Sequence, residues 1–215
     1  MPMLNGGQRG RAVRKHVVIA GVAVAGLAVV AALALTRPLG LQRSTPGQIP
    51  ATSRQASAPA ATLKAAPDFE IVMYQGGAAV GGSKVRLSQL WGKGRPVVMN
   101  FWAGLCPPCR AEMPDFQRLY NEAQGRFFLV GVDIGPFIGL GSQEDGKALL
   151  RELSITFPAG TTLDARMVSA YQILGMPTTV FITADGKIFK KYAGLLTRDL
   201  MDTFVAELLR ASGTP

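Results

Sequence analysis

Trp102-Ala103-Gly104-Leu105-Cys106-Pro107-Pro108-Cys109-Arg110 holds the only two cysteines of the 215-residue chain. The run before it, Pro96-Val97-Val98-Met99-Asn100-Phe101-Trp102, is apolar and β-prone, and residues 110–123 repeat with helical period. A strand therefore delivers Cys106 to a helix N-terminus. Pro107 suits the first helical position, where a missing N–H costs nothing, so Cys106 is expected at or beside the N-cap. Unpaired amides and the positive dipole end favour a thiolate there, below the free thiol pKa of ~8.5. Cys109, one turn on, lies within disulfide reach. Cys106 is the expected exposed nucleophile and Cys109 the thiol that resolves the mixed disulfide.

Other uses of two cysteines fit less well. A structural disulfide at this spacing closes too small a loop to restrict the unfolded chain much. A zinc site needs about four ligands, and the single histidine, His16, is ninety residues upstream. Covalent haem needs histidine directly after the second cysteine, where Arg110 stands. A thiol peroxidase pattern T-x-x-C is broken by Ala103. No cofactor or metal is expected beyond the Cys106–Cys109 dithiol.

The net charge of +9 suggests nucleic acid until it is divided along the chain. Eight Lys and Arg precede Asp68 with no acid among them, whereas from residue 67 there are 15 Lys plus Arg and 14 Asp plus Glu. The basic balance belongs to the N-terminal arm, and no nucleic-acid-binding face is expected. Residues 1–16 are the basic segment, and residues 17–35 (VVIAGVAVAGLAVVAALAL) are 19 apolar residues without a charge. As a helix they reach ~28 Å, about the hydrocarbon thickness of a bilayer. The expectation is a signal anchor with the basic end in the cytoplasm and the rest across the membrane. Cleavage near Ala32-Leu33-Ala34 is the competing reading, although the apolar run exceeds the usual ~7–15 residues of a signal peptide. Either way the domain lies outside the cytoplasm, where disulfides persist. Residues 36–66, rich in Pro, Ser, Thr and Ala, read as a flexible linker. Residues 67–215 have the length of one domain.

That domain opens with an extended segment through Ile71 and Val72, a glycine-rich turn over residues 76–82 and a return strand near Val85. Ser88 is expected to cap a short helical turn. In the helix over residues 107–123, Met113, Phe116, Leu119, Tyr120 and Ala123 form the core-facing stripe, and Pro114 interrupts one hydrogen bond. Residues 127–134 (FFLVGVDI) read as a buried parallel strand. Residues 135–141 (GPFIGLG) read as an apolar loop, either a greasy surface beside the thiols or core. Ser142 starts a capped helix. Residues 157–163 read as extended and 165–173 as helical. Pro177 opens a β-branched strand, and Asp185-Gly186 turns it into a hairpin. A closing helix runs from Thr197 or Arg198 to Arg210, with Leu200, Phe204, Leu208 and Leu209 on its buried face.

This order resembles the thioredoxin fold, an α/β fold with a central mixed sheet flanked by helices. An N-terminal β-hairpin and an inserted strand and helix over residues 127–163 are added. More narrowly, residues 66–210 resemble the membrane-anchored TlpA/ResA/CcmG thiol-disulfide oxidoreductases. The residues that carry this are Ala66-Pro67-Asp68-Phe69, Asn100-Phe101-Trp102, Cys106-Pro107-Pro108-Cys109-Arg110-Ala111-Glu112-Met113-Pro114, Gly175-Met176-Pro177-Thr178-Thr179 and Asp185-Gly186. The resemblance implies a cis Met176-Pro177 bond in a loop that packs on the sulfurs and hydrogen-bonds the partner peptide. Met176, Pro177, Thr178, Trp102, Pro107 and Pro108 are thus the candidate substrate-binding residues. It also implies that Glu112 manages the Cys109 proton, although an ordinary first-turn glutamate is the plain alternative. Asn100 stands where cytosolic thioredoxins carry a buried aspartate, and Leu105 where the group commonly has tryptophan.

The resulting expectation is a reductase of extracytoplasmic protein disulfides, such as those of apocytochrome c or copper-site proteins, rereduced by a membrane electron donor of the CcdA/DsbD type. An oxidase that donates its disulfide to exported proteins, and a Cu(I) carrier using both thiols as soft ligands, are the alternatives.

Overall fold

The computed structural model describes residues 63–214 except residue 124. The basic arm, the apolar run 17–35 and the linker up to residue 62 lie outside the described residues. Among those described, no helix is long and apolar enough to cross a membrane. The elements in order are β1 (Glu70–Gln75), α1 (Gly77–Val80), β2 (Lys84–Arg86), α2 (Ser88–Trp91), β3 (Val97–Trp102), α3 (Pro107–Glu122) and β4 (Phe128–Asp133). There follow α4 (Gly135–Ile138), α5 (Gln143–Glu152), β5 (Ala159–Thr161), α6 (Arg166–Ala170), β6 (Thr178–Ile182), β7 (Ile188–Ala193) and α7 (Arg198–Ala211).

All six residues of β3 are buried, which requires neighbours on both edges and cover on both faces. Its edges pair with β4, parallel, and β6, antiparallel. The full sheet is mixed and seven-stranded, in the order β2-β1-β5-β4-β3-β6-β7. Side chains alternate across it. Val98 and Trp102 enter one core with Met113 and Phe116 of α3, Leu149 and Leu150 of α5 and Met201 and Val205 of α7. Val97, Met99 and Phe101 face the other, with Phe69, Leu90, Met167 and Tyr171. This is the thioredoxin-like architecture, with the β1–β2 hairpin and the β4-to-β5 insertion expected from the sequence.

The opening Ala66-Pro67-Asp68-Phe69 works as a clasp. The Tyr171 hydroxyl donates to Pro67 O at 2.6 Å, and Phe69 packs edge-on to Tyr171 with ring centroids 5.9 Å apart. The Asp68 carboxylate accepts from Arg86 Nε at 2.8 Å, Ser88 N at 2.9 Å and Ser88 Oγ at 3.0 Å. Asp68 therefore satisfies the start of α2 from twenty residues away, and Ser88 is the first helical residue rather than its cap.

Three further expectations are corrected. Residues 135–141 contain the single turn α4, closed by Gly139 in the left-handed region at φ 70°. Helix α6 spans five residues, not nine, because Gln172 at φ 50° breaks the helical path. On α7 Leu208 and Leu209 are buried as expected, but Met201 and Val205 complete the buried face in place of Leu200 and Phe204. Leu200 and Phe204 lie at its margin, with Phe204 edge-on to Phe181 at 5.6 Å. The apolar stripe is wide enough for either face, and the sheet selects the one that fits between Phe181 and α3.

The junction of hairpin and insertion depends on Gly160, because a Cβ there would lie 2.3 Å from the Val72 carbonyl oxygen. Gly160→Ala should part β1 from β5 and cost about 2 kcal/mol. Urea unfolding checks it; an unchanged midpoint would show that this pairing contributes nothing to stability.

Candidate active site

Cys106 and Cys109 are joined in a disulfide. Cys106 is the N-cap of α3, with Pro107 at the first helical position, and its Sγ accepts from Cys109 N at 3.3 Å. The loop before it is pinned from outside α3: Leu105 N donates to Leu140 O at 2.9 Å. Cys109 is fully buried, and Cys106 is only 3% exposed. The expectation of an exposed Cys106 is thus corrected for this oxidised state. Its sulfur lies at the floor of a groove of about 480 Å³, walled by Pro107, Pro108, Ile138, Leu140, Leu174 and Met176. No charged residue lines this groove. Ile138 and Leu140 place the greasy stretch 135–141 beside the disulfide. Of the groove residues, Ile138, Leu140 and Leu174 were not singled out as site residues from the sequence; the apolar, glycine-studded stretch was the signal for the first two.

The Met176-Pro177 bond is cis, as the family resemblance implied. Pro177 O accepts from Gly194 N at 2.8 Å, and Thr178 Oγ1 donates to Gly175 O at 2.7 Å. Met176 lines the groove and Pro107 and Pro108 are exposed at its edge. Thr178 and Trp102, in contrast, are 1% and 0% exposed. Their side chains cannot meet a substrate in this state: Thr178 braces the loop, and Trp102 belongs to the core beneath the disulfide.

Glu112 is 1% exposed on the buried side of α3. Its Oε1 accepts from Asn100 Nδ2 at 2.7 Å and its Oε2 from Leu196 N at 3.0 Å. Asn100 also donates to Thr179 Oγ1 at 3.1 Å, so β3, β6, α3 and the entry to α7 meet on one carboxyl. Burial raises its pKa to about 7, against the two hydrogen bonds that pull it down. It is a built-in acid, not a surface first-turn glutamate. Leu196, a backbone donor, left no signal in the sequence.

A second buried acid, Asp133, ends β4. Burial lifts it to about 6, opposed by bonds from Gly135 N and the Tyr74 hydroxyl and assisted by the nearby Asp145 charge. Tyr74 is raised in turn by its own burial and by Asp133. The sequence signal for it is an acid at the end of an otherwise apolar strand, a pattern that by itself specifies only the strand.

A mixed sheet with a Cys-Pro-Pro-Cys disulfide at a helix N-terminus, faced by a cis-proline loop, defines a thioredoxin-like thiol-disulfide oxidoreductase. Residues 62–191 match the AhpC/TSA family, and the chain belongs to it. It is 37% identical over 144 residues to the thiol-disulfide oxidoreductase ResA of Oceanobacillus iheyensis, covering 67% of this chain and 71% of that one. ResA of Halalkalibacterium halodurans is 33% identical over 132 residues, covering 60% and 69%. Among solved structures, the exposed lipoprotein thioredoxin Etrx1 of Streptococcus pneumoniae is 28% identical, with a TM-score of 0.56, covering 66% of this chain and all of that one. StoA of Bacillus subtilis, at 21% identity, shares the fold with a TM-score of 0.53 over 65% of this chain and 97% of its own.

Glu112 makes stability depend on pH. Its folded pKa of about 7 exceeds the ordinary 4.5, so between these values the folded state binds more protons than the unfolded one. Its contribution is full below pH ~4.5 and is lost as pH rises through about 7, a swing of about 3 kcal/mol. Glu112→Gln removes this term, and the Asn100 amide can turn to present its free Oδ1 to the new NH₂ group. The stability difference between variant and wild type should therefore shift by that amount across this window in chemical unfolding, whereas parallel pH profiles would refute the buried-acid assignment.

Proposed function

We propose that this chain reduces protein disulfides outside the cytoplasm, in the manner of the ResA-type oxidoreductases of cytochrome c maturation. In this reading the Cys106 thiolate attacks one sulfur of a substrate disulfide. That bond breaks, a Cys106–substrate disulfide forms, and the released sulfur takes up a proton. Cys109, deprotonated, then attacks Cys106 Sγ and frees the substrate's second thiol. Two electrons pass to the substrate, and the Cys106–Cys109 disulfide is left behind. Glu112, three residues beyond Cys109, accepts and returns the Cys109 proton, since a carboxyl with a pKa near neutrality exists in both forms at working pH.

The observation that carries the proposal is the placement of Cys106: an N-cap sulfur at the floor of an uncharged groove, with its helix's own amide pointing at it. The N-terminal amides stabilise the thiolate both as attacking group and as leaving group. The groove fits an extended apolar segment flanking a cystine, held by the exposed edges of Pro107 and Pro108 and by the Met176-Pro177 loop. The basic arm and the apolar run 17–35 are proposed to anchor the chain in the cytoplasmic membrane with this domain on the outer side. A CcdA/DsbD-type carrier would return electrons to the dithiol there.

The reduction potential of the full chain in thiol-disulfide buffers, read by thiol trapping, separates donor from acceptor. The expected value lies near the thioredoxin range, about −270 mV, whereas one near the DsbA range, about −120 mV, would make the chain an oxidant and end the reductase reading. Cys109→Ser should accumulate a mixed disulfide through Cys106 with its substrate, visible on non-reducing gels. Accumulation in Cys106→Ser instead would reverse the two roles.

A further inference from the structure

Asp133 is fully buried, and the proton and electron transfers proposed above make no use of it. Its Oδ1 accepts from Gly135 N at 2.9 Å and its Oδ2 from the Tyr74 hydroxyl at 3.1 Å. Two glycines make room for it: a Cβ on Gly146 would fall 2.2 Å from Oδ2, and one on Gly135 3.1 Å from Oδ1. The Gly146 position also abuts the Trp102 ring, at 3.3 Å from Cη2. The first residue of α4, the first turns of α5 and the Tyr74 side chain of β1 thus converge on one carboxyl.

The segment gripped in this way is the one on which the cysteine loop rests. Gly135 O accepts from Leu140 N at 3.1 Å, and Leu140 O accepts from Leu105 N at 2.9 Å. Gly104 lies so close to α5 that a Cβ there would fall 2.5 Å from both Asp145 C and Gly146 N. A Cβ on Gly141 would fall 3.1 Å from Leu105 Cγ. Hydrogen bonds and close packing therefore run without a gap from the Asp133 carboxyl to the residue before Cys106.

We propose that Asp133 is a positioning residue for Cys106: by gripping Gly135 and Tyr74 it holds residues 135–146 as the seat of Gly104 and Leu105, and so fixes where the sulfur is presented. The inference rests on the reading of Cys106 as the attacking sulfur. What the seat requires is two hydrogen bonds in one geometry, not a charge. Asparagine at this position offers its Oδ1 to Gly135 and its Nδ2 to the Tyr74 oxygen, whereas leucine of similar volume offers neither.

The test uses the reduced full chain and two small probes, iodoacetamide and oxidised glutathione, which need no apolar contacts in the groove. Wild type, Asp133→Leu, Asp133→Asn and Tyr74→Phe are compared well below their unfolding temperatures, with the labelled cysteine mapped by peptide mass. Asp133→Leu should slow both reactions roughly tenfold and move the pH midpoint of alkylation upward, as the sulfur leaves the helix amides; Tyr74→Phe should slow them about threefold, and Asp133→Asn should stay within about twofold of wild type. A role in stability alone moves none of these rates. First labelling at Cys109 would remove the Cys106 reading and this inference with it. Labelling at Cys106 with a wild-type rate in folded Asp133→Leu would overturn the positioning role and leave Cys106 as attacker. Asp133→Asn as slow as Asp133→Leu would also overturn it, by showing that charge and not grip is needed. If Asp133→Leu does not fold, Tyr74→Phe carries the test, and a wild-type rate there overturns the proposal.

Discussion

Six consecutive residues shut off from water are the constraint from which the rest of this domain follows. A strand buried on both faces and both edges cannot be an outer strand, so residues 97–102 take the place between β4 and β6. The right-handed crossover from β3 through α3 to parallel β4 is the usual consequence. The polypeptide then has to leave the sheet at Trp102 and reach a helix within four residues. Both cysteines sit at this exit, which is also where the parallel strands β4 and β5 end. The open end of a parallel sheet is a place where backbone groups lack partners and loops gather, and it is where α/β proteins generally keep their sites.

The same burial explains why two carboxyls near that end titrate so far from their ordinary range. Neither Glu112 nor Asp133 has a lysine or arginine among its hydrogen-bond partners. An ionised carboxylate in such a place is supported only by dipoles, and desolvation outweighs them. Three acids nearer the surface shift the opposite way. Glu152 and Asp164 each meet an arginine and are held below their usual values, and Asp68, against its partial burial, is held down by the Ser88 N–H and then by Arg86. Pairing with a cation would have fixed the charge of Glu112 permanently. Its absence leaves a group that changes protonation near neutral pH, one turn from a sulfur that must lose and regain a proton.

The thiol end of this architecture was legible in the sequence because it is local. Proline at the first helical position, the apolar strand before it and the proline before a β-branched strand each specify backbone over a few residues, and the structure has all three. Less legible was whatever depends on contact between distant segments. Nothing in the sequence pairs Asp68 with Ser88, and the N-terminal half of α7's buried face lies one residue from the expected Leu200 and Phe204, because periodicity defines a stripe but not what it docks on. Leu196 entered no site reading since its contribution is a backbone N–H. The family resemblance places Trp102 and Thr178 among the substrate-binding residues, but it does not say which way their side chains point. Alternation along β3 and the side-chain bond from Thr178 to Gly175 instead turn them inward.

The insertion between β4 and β5 is best understood through what surrounds the disulfide rather than as an ornament on the sheet. Elsewhere on the domain several charges pair, Arg118 with Glu122 and Asp202, and Arg198 with Asp115. Among the exposed large apolar side chains, Leu105 at 60% adjoins Cys106 in sequence, Leu174 at 94% stands in the groove wall, and Phe137 at 37% precedes the wall residue Ile138. Phe137 comes from α4, Leu174 from the cis-proline loop and Leu105 from the loop held by Leu140. Three large apolar side chains from three segments do not gather in water for stability, since each exposes surface that costs about 25 cal/mol per Å² to hydrate. On the proposed reading their cost is recovered when a partner covers them. On that reading Leu105 acts with α4 as one apolar rim, and hydrogen bonds link the two segments through Leu140 and Gly135 to the buried carboxyl of Asp133.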